Sequence, residues 1–118
     1  MSPPKGPYTL LTVNNAPERA TRLVSRVVET VKEQYTIRHV ANAESPEAAP
    51  ALLEQHKPDI VFTASMWSPS QSASVMSAAR AINPAVKTLA LPQGLQVERG
   101  PDAVVEFIVG ELPGLIEG

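Results

Sequence analysis

The chain has 118 residues, no cysteine, and a formal net charge of −2 from 10 Lys and Arg against 12 Asp and Glu. This length suits a single hydrophobic core, and the missing cysteines exclude disulfides, thiolate metal sites and a cysteine nucleophile. The charge balance, without a basic cluster, argues against nucleic-acid binding, and no apolar run reaches the ~18 residues of a transmembrane helix. Because the N-terminus MSPPKGP also lacks an apolar signal segment, we predict a cytoplasmic protein with no nucleic-acid or membrane partner.

The N-terminal third opens with a Pro-rich segment, residues 1–7, which we predict to be a flexible tail before a single domain over 8–118. A short apolar strand is predicted at 8–13. Apolar residues at helical spacing then predict an amphipathic helix over 17–34, and a second strand follows at 36–41. The apolar face of the helix consists of Leu23, Val24, Val27, Val28 and Val31.

Helix start signals and apolar runs predict the elements in the rest of the chain. Ser45 followed by Pro46 predicts the N-terminus of a helix that ends near residue 55. The continuous apolar run IVFTA at 60–64 is typical of a strand buried on both faces. The remaining predicted elements are a helix at 72–82, a strand at 86–91 and a last helix at 103–111.

The alternation of strands and helices predicts an α/β fold, a flavodoxin-like three-layer sandwich with a parallel sheet of four to five strands. Between Leu91 and Asp102 lie only the ten residues PQGLQVERGP. A parallel crossover needs about a dozen residues or more. We therefore expect the fourth helix region to be shortened or lost, with 95–98 (LQVE) as a partial edge strand. The predicted core consists of Leu10, Leu11, Val13, Val24, Val27, Val28, Leu52, Ile60, Val61, Phe62, Leu89 and Leu91.

Three stretches, in this order, resemble the receiver domain of bacterial two-component response regulators: LLTVNNAPE, SPEAAPALLEQHKPDIVF and AARAINPAVKTLAL. The likeness covers residues 8 to about 91 and implies a role in signal transduction. In that family, two carboxylates after the first strand and one at the end of the third hold Mg²⁺, and the third accepts a phosphoryl group. A Ser or Thr after the fourth strand and a Lys after the fifth complete the switch.

The groups that carry this chemistry are absent from the matching positions. Two asparagines replace the acidic pair, an alanine (or a serine, with a shift of one residue) replaces the acceptor, a proline replaces the hydroxyl, and no lysine follows Lys87. An amide is a far weaker ligand for Mg²⁺ than a carboxylate, and a methyl group cannot become an acyl phosphate. The degenerate phosphorylation pocket so predicted consists of Asn14, Asn15, Ala64, Ser65 and Pro92.

The resemblance and its departures lead to one main hypothesis and one alternative. The first is a pseudo-receiver: a non-phosphorylatable module that regulates signalling by binding another protein. The alternative is a small-molecule-binding or carrier domain that uses the pocket at the carboxyl ends of the strands. An enzyme is least favoured, because no nucleophile lies beside a base and no G-x-G-x-x-G follows the first strand. We accordingly expect no metal, no cofactor and no catalytic residue.

The asparagine pair and the single tryptophan each leave two interpretations open. Asn14 and Asn15 can cap the loop after the first strand or contact a ligand or partner. Trp67 can fold back over the emptied pocket as a plug, or form an exposed patch with Met66 that binds a protein partner. The predicted partner-binding residues are Met66, Trp67, Gln93 and Leu95, and the partners considered include a second copy of the chain paired along the fourth strand.

Overall fold

The computed structural model describes residues 3–117, which form four strands and four helices. A turn of 3₁₀ helix at Pro46–Ala48 precedes the second helix. None of the described helices is long and apolar enough to cross a bilayer. In chain order the elements are β1 Lys5–Val13, α1 Pro17–Val31, β2 Tyr35–Ala43, α2 Ala49–His56, β3 Ile60–Thr63, α3 Pro69–Ile82, β4 Lys87–Ala90 and α4 Leu95–Glu117.

The four strands form one parallel sheet in the order β2-β1-β3-β4. β1 is a central strand, with Leu11 opposite Ala41 of β2 on one side and Val61 of β3 on the other. This topology confirms the predicted α/β, flavodoxin-like fold, with four strands in the described part of the chain. β1 begins at Lys5, opposite Tyr35, so the last residues of the segment predicted as a tail pair with β2.

The sheet separates two apolar layers, one under α1 and α4 and the other under α2 and α3. The first contains Leu10, Val24, Val27, Val31, Tyr35, Ile37, Ile60, Phe62, Leu91, Val104, Val105, Ile108 and Leu112. The second contains Leu11, Val13, Ala43, Ala49, Leu53, Val61, Val75, Ala79 and Val86. Every residue of the predicted core is buried except Val28, Leu52 and Leu89, which are half-buried and pack against these layers.

The start of α3 shows how local side chains fix a helix boundary. The hydroxyl of Ser68 accepts a hydrogen bond from the backbone N–H of Gln71 at 3.2 Å, and the side chain of Gln71 accepts one from the N–H of Ser68 at 2.9 Å. This capping box satisfies two amide groups that the helix itself cannot pair. α3 therefore begins at Pro69, three residues before the predicted start at 72.

The chain after β4 differs from the prediction. The expectation of a shortened or lost fourth helix region is wrong, because the fourth helix is present and long, and 95–98 belongs to it rather than to an edge strand. Gly94, at φ 87°, turns the chain, and the N–H of Glu98 donates to the carbonyl of Gly94 at 2.8 Å. Leu95 packs against the core while Val97 is 91% exposed. A strand would have placed these two side chains on the same face.

α4 bends at Gly100, whose φ of 82° and ψ of 176° interrupt the helical backbone. This conformation is essentially restricted to glycine. Beyond the bend, α4 lies beside α1, and Val104, Ile108 and Leu112 are fully buried. At its end, the Glu117 carboxylate bonds Lys5 and the hydroxyl of Tyr35. Chiefly through that hydrogen bond, it raises the pKa of Tyr35 to about 12.

Candidate functional site

Asn14 lies at the carboxyl end of β1 and is 4% exposed. Its side-chain oxygen accepts a hydrogen bond from the N–H of Ala16 at 2.8 Å, which closes a local turn before α1. Its backbone N–H donates to the carbonyl of Ala43 at 2.9 Å, and its own carbonyl accepts from the Asn42 amide at 2.9 Å. Asn14 therefore caps the loop, whereas Asn15 beside it is exposed.

Ala64 and Ser65 follow β3 at the same edge of the sheet, and both are buried. The N–H of Ala64 donates to the carbonyl of Val13 at 3.0 Å. The carbonyl of Ser65 accepts from the N–H of Gly94 at 2.9 Å, and its hydroxyl accepts from the N–H of Gln96 at 3.3 Å. Ser65 thus fastens the end of β3 to the start of α4, and its hydroxyl is engaged by the backbone.

The cavity between these strand ends has a volume of only about 10 Å³. That volume holds at most one water molecule, so the space between the ends of β1 and β3 is almost filled. Among residues 3–117, no group of three or more His, Asp or Glu side chains could hold a metal ion. The cavity is lined by Thr12, Val13, Asn14, Ala20, Leu23, Phe62, Ala64 and Leu91.

Solved structures that are similar to this chain include receiver domains of response regulators. The REC domain of AraT, a response regulator from Geobacillus stearothermophilus, matches with a TM-score of 0.63 at 14% identity over 93% of this chain and 95% of that one. The isolated REC domain of RcsB from Salmonella enterica serovar Typhimurium, with the phosphomimetic BeF₃⁻, matches with a TM-score of 0.56 at 9% identity over 89% and 73%. The fold is receiver-like.

A longer structure of the RcsB response regulator from Salmonella typhimurium matches with a TM-score of 0.55 at 10% identity, over 75% of this chain and 44% of that one. At these identities the likeness establishes the fold alone. No protein-family model matches the chain, and no curated protein matches it.

Trp67 lies over the strand ends of the receiver-like domain. Its indole N–H donates to the carbonyl of Val13 at 2.7 Å, and its half-buried ring packs against the layer under α2 and α3. The same carbonyl accepts the N–H of Ala64, so Trp67 covers the junction between β1 and β3. Trp67 is not among the residues that line the small cavity between β1 and β3, so both interpretations of this residue stay predictions.

The other residues predicted to bind a partner lie in different environments. Gln93 is exposed, Met66 is half-buried, and Leu95 packs against the layer under α1 and α4. Pro92, which was predicted for the degenerate pocket, is exposed and does not line the small cavity there. A groove of about 240 Å³ joins Trp67 and Gln93 but includes neither Met66 nor Leu95. It is lined by Trp67, Pro69, Ser72, Ala73, Met76, Ala90, Leu91, Pro92 and Gln93. Met76 was not among the predicted residues, although positions 69, 73 and 76 share the spacing of one helix face.

β4 forms an open edge of the sheet beside this groove. The N–H groups of Lys87 and Leu91 donate towards β3, to Asp59 at 2.9 Å and Thr63 at 3.0 Å. Because peptide groups alternate along a strand, the N–H groups of Thr88 and Ala90 point away from β3. No strand among the described residues pairs with that outer side, and Ala90 is exposed.

A polar network lies at the opposite side of β1. The Thr12 hydroxyl donates to the side-chain oxygen of Asn42 at 2.7 Å, and it lies 2.8 Å from Nε2 of His39. Because its single hydrogen goes to Asn42, the hydroxyl accepts a hydrogen bond from the protonated Nε2 of His39. Burial lowers the pKa of His39 and favours the neutral ring. Asn42 in turn bonds the carbonyl of Asn14, so the network supports the capped loop.

Proposed function

We propose that this receiver-like domain takes up no phosphoryl group and acts in signalling as a regulatory module that binds another protein. The observation that carries the proposal is the filled space between the carboxyl ends of β1 and β3. There, Asn14 is committed to the loop, Ala64 occupies the acceptor position, and about 10 Å³ remains between them. Because this end of the sheet has neither the space nor the metal ligands for phosphoryl transfer, we infer that the domain acts through contacts made by its surface.

Phosphoryl transfer to this end of the molecule lacks two physical requirements. Mg²⁺ is bound through hard carboxylate oxygens, and the side chains lining the cavity include no carboxylate. Transfer also requires a nucleophile that can form a bond to phosphorus. The methyl group of Ala64 has no lone pair, and the buried Ser65 hydroxyl is bonded to the N–H of Gln96 rather than to a base that could activate it.

We expect no phosphoryl adduct when the protein is incubated with acetyl phosphate and Mg²⁺, as read by intact-mass spectrometry. Millimolar Mg²⁺ should also leave the melting midpoint unchanged, since a ligand raises it only by binding the folded state. A phospho-adduct mapped to the residues after β3, or a clear rise of the midpoint with Mg²⁺, would show that this site has been misassigned.

The open edge of β4 is the proposed contact for a partner, and we take that partner to be a second copy of the chain. An unpaired edge strand is a template for another strand. Two identical edges related by a two-fold axis can pair with each other, because each satisfies the outward groups of the other. The neighbouring groove under Trp67 and Met76 adds apolar surface to the same contact.

Replacing Ala90 with proline is expected to abolish this self-association, as measured by sedimentation velocity over a range of concentrations. The N–H of Ala90 points away from β3, so proline removes a donor from the open edge without removing one from the sheet. Ala90→Val is the matched control, since it enlarges the side chain but keeps the N–H, and it should still dimerise. A wild-type chain that stays monomeric at high concentration, or an Ala90→Pro dimer as stable as wild type, would contradict the proposal.

A further inference from the structure

Three arginines form a row along the outer side of α1. Arg19, Arg22 and Arg26 follow one another at intervals of three and four residues, which places them on one face of the helix. At 1.5 Å per residue, the row rises by about 10 Å along the helix axis. All three are exposed. They line a groove of about 230 Å³ together with Leu23, Gln96 and Pro101.

Only one of these guanidinium groups has an acidic partner within the described chain. Nη2 of Arg26 donates to Oδ1 of Asp102 at 2.7 Å, and the side chain of Asp102 is 83% exposed. Arg19 and Arg22 form no ion pair or hydrogen bond with any residue of 3–117 through their side chains. Glu18 lines an adjoining groove with both of them.

We propose that the row Arg19, Arg22 and Arg26 is a docking surface for an acidic segment of a partner protein. A guanidinium group binds a carboxylate through two parallel hydrogen bonds, and arginine is enriched among the residues that dominate binding energy. The contact between Arg26 and Asp102 shows, within this chain, that a carboxylate can approach the row. Leu23 and Pro101 give the groove an apolar wall against which the stems of glutamate side chains can pack.

The charge of the chain favours a protein over a nucleic acid as the occupant. The net charge is −2, and a polyanion with one charge per ~1.7 Å would meet repulsion beyond the short row. An acidic helix carrying carboxylates at matching intervals of three and four residues presents a few charges over the same ~10 Å. This surface lies on the α1 side of the sheet, away from the groove beside β4. A failed test here would therefore leave the proposed self-association standing.

The test uses a fluorescein-labelled helical peptide with glutamates at positions i, i+3 and i+7, and fluorescence anisotropy at low ionic strength. Arg22→Glu is expected to weaken binding by about tenfold, since it removes the central guanidinium and adds a like charge. Asp102→Asn is expected to tighten binding by about threefold, because it releases Arg26 from an exposed ion pair. Added salt should weaken peptide binding by the wild-type protein and by Asp102→Asn, which both retain the three arginines.

Arg38→Glu is the matched control. Arg38 is an exposed residue of β2, and its replacement changes the net charge by the same amount as Arg22→Glu. It should alter binding by less than about twofold, and thermal melts establish that each variant is folded. Equal losses in the two variants, or no tightening in Asp102→Asn, would overturn the proposal. So would a single-stranded oligonucleotide of equal charge that binds as tightly as the peptide, since it would identify a nucleic-acid surface instead.

Discussion

Replacing Ile108 with alanine is expected to lower the free energy of unfolding by about 3 kcal/mol. Ile108 lies on the inner face of α4, has no exposed surface, and packs in the layer shared with α1. The substitution removes buried apolar atoms and leaves a cavity between α4 and the sheet. Urea unfolding followed by circular dichroism measures the loss.

Glu106 provides the control on the same helix. Its side chain is exposed, so Glu106→Ala should change the free energy of unfolding by about 0.5 kcal/mol or less. Glu106 and Ile108 lie on opposite faces of α4, one exposed and one buried. The comparison therefore tests which face of α4 packs on the sheet. Similar losses at the two positions would mean that α4 does not pack on the sheet through this face.

Valine substitution of two buried threonines is expected to shift stability in opposite directions. The Thr63 hydroxyl is fully buried and has no hydrogen-bond partner among the described residues. Thr63→Val replaces this unsatisfied group with a methyl of similar size and should stabilise the fold by about 1 kcal/mol. Thr12→Val removes a donor from Asn42 and an acceptor from His39, and should cost about 2 kcal/mol.

The two variants are best compared by urea unfolding at about pH 8, above the ordinary titration range of histidine. His39 is then neutral in the folded and unfolded states, so the difference reports the hydrogen bonds rather than a change of charge. Loss of stability in Thr63→Val would show that the Thr63 hydroxyl is hydrogen-bonded after all. If Thr12→Val left the free energy of unfolding unchanged, water would be shown to replace the hydrogen bonds of the Thr12 hydroxyl without loss of stability.

Periodicity in the sequence predicted the elements that bury one clear face. Val24, Val27 and Val31 recur at helical spacing and are all buried under α1, and the unbroken apolar run of β3 is buried on both sides of the sheet. In these segments the hydrophobic periodicity agrees with the tertiary packing, and secondary structure can then be predicted from sequence.

The region after β4 could not be predicted in this way. Four residues, 95–98, fit a strand and a helix equally well, and only the turn at Gly94 decides between them. Pro113 also indicated a helix end near 111, yet α4 continues to Glu117. Leu112 is buried, and Leu115 and Ile116 pack against the same layer. Their burial offsets the ~3 kcal/mol cost of an internal proline.

The candidate site was predictable in its composition but not in its geometry. The residue types at 14 and 64 were enough to argue against a magnesium site. Whether Trp67 lies outward or over the strand ends depends on the carbonyl of Val13, 54 residues earlier in the chain. The helical spacing of Arg19, Arg22 and Arg26 predicts that they share the polar face of α1. The groove that they form with Gln96 and Pro101 depends on the position of α4 and could not be predicted.

The strand order has a consequence for synthesis on the ribosome. Each strand after β1 pairs with one that has already been made, since β2 and β3 join β1 and β4 joins β3. The residues of α4 that complete the layer under α1, among them Val104, Ile108 and Leu112, are translated after all four strands. Until they emerge, α1 alone covers this face of the sheet, and part of its apolar surface stays exposed. That interval is when chaperones and neighbouring nascent chains have access to it.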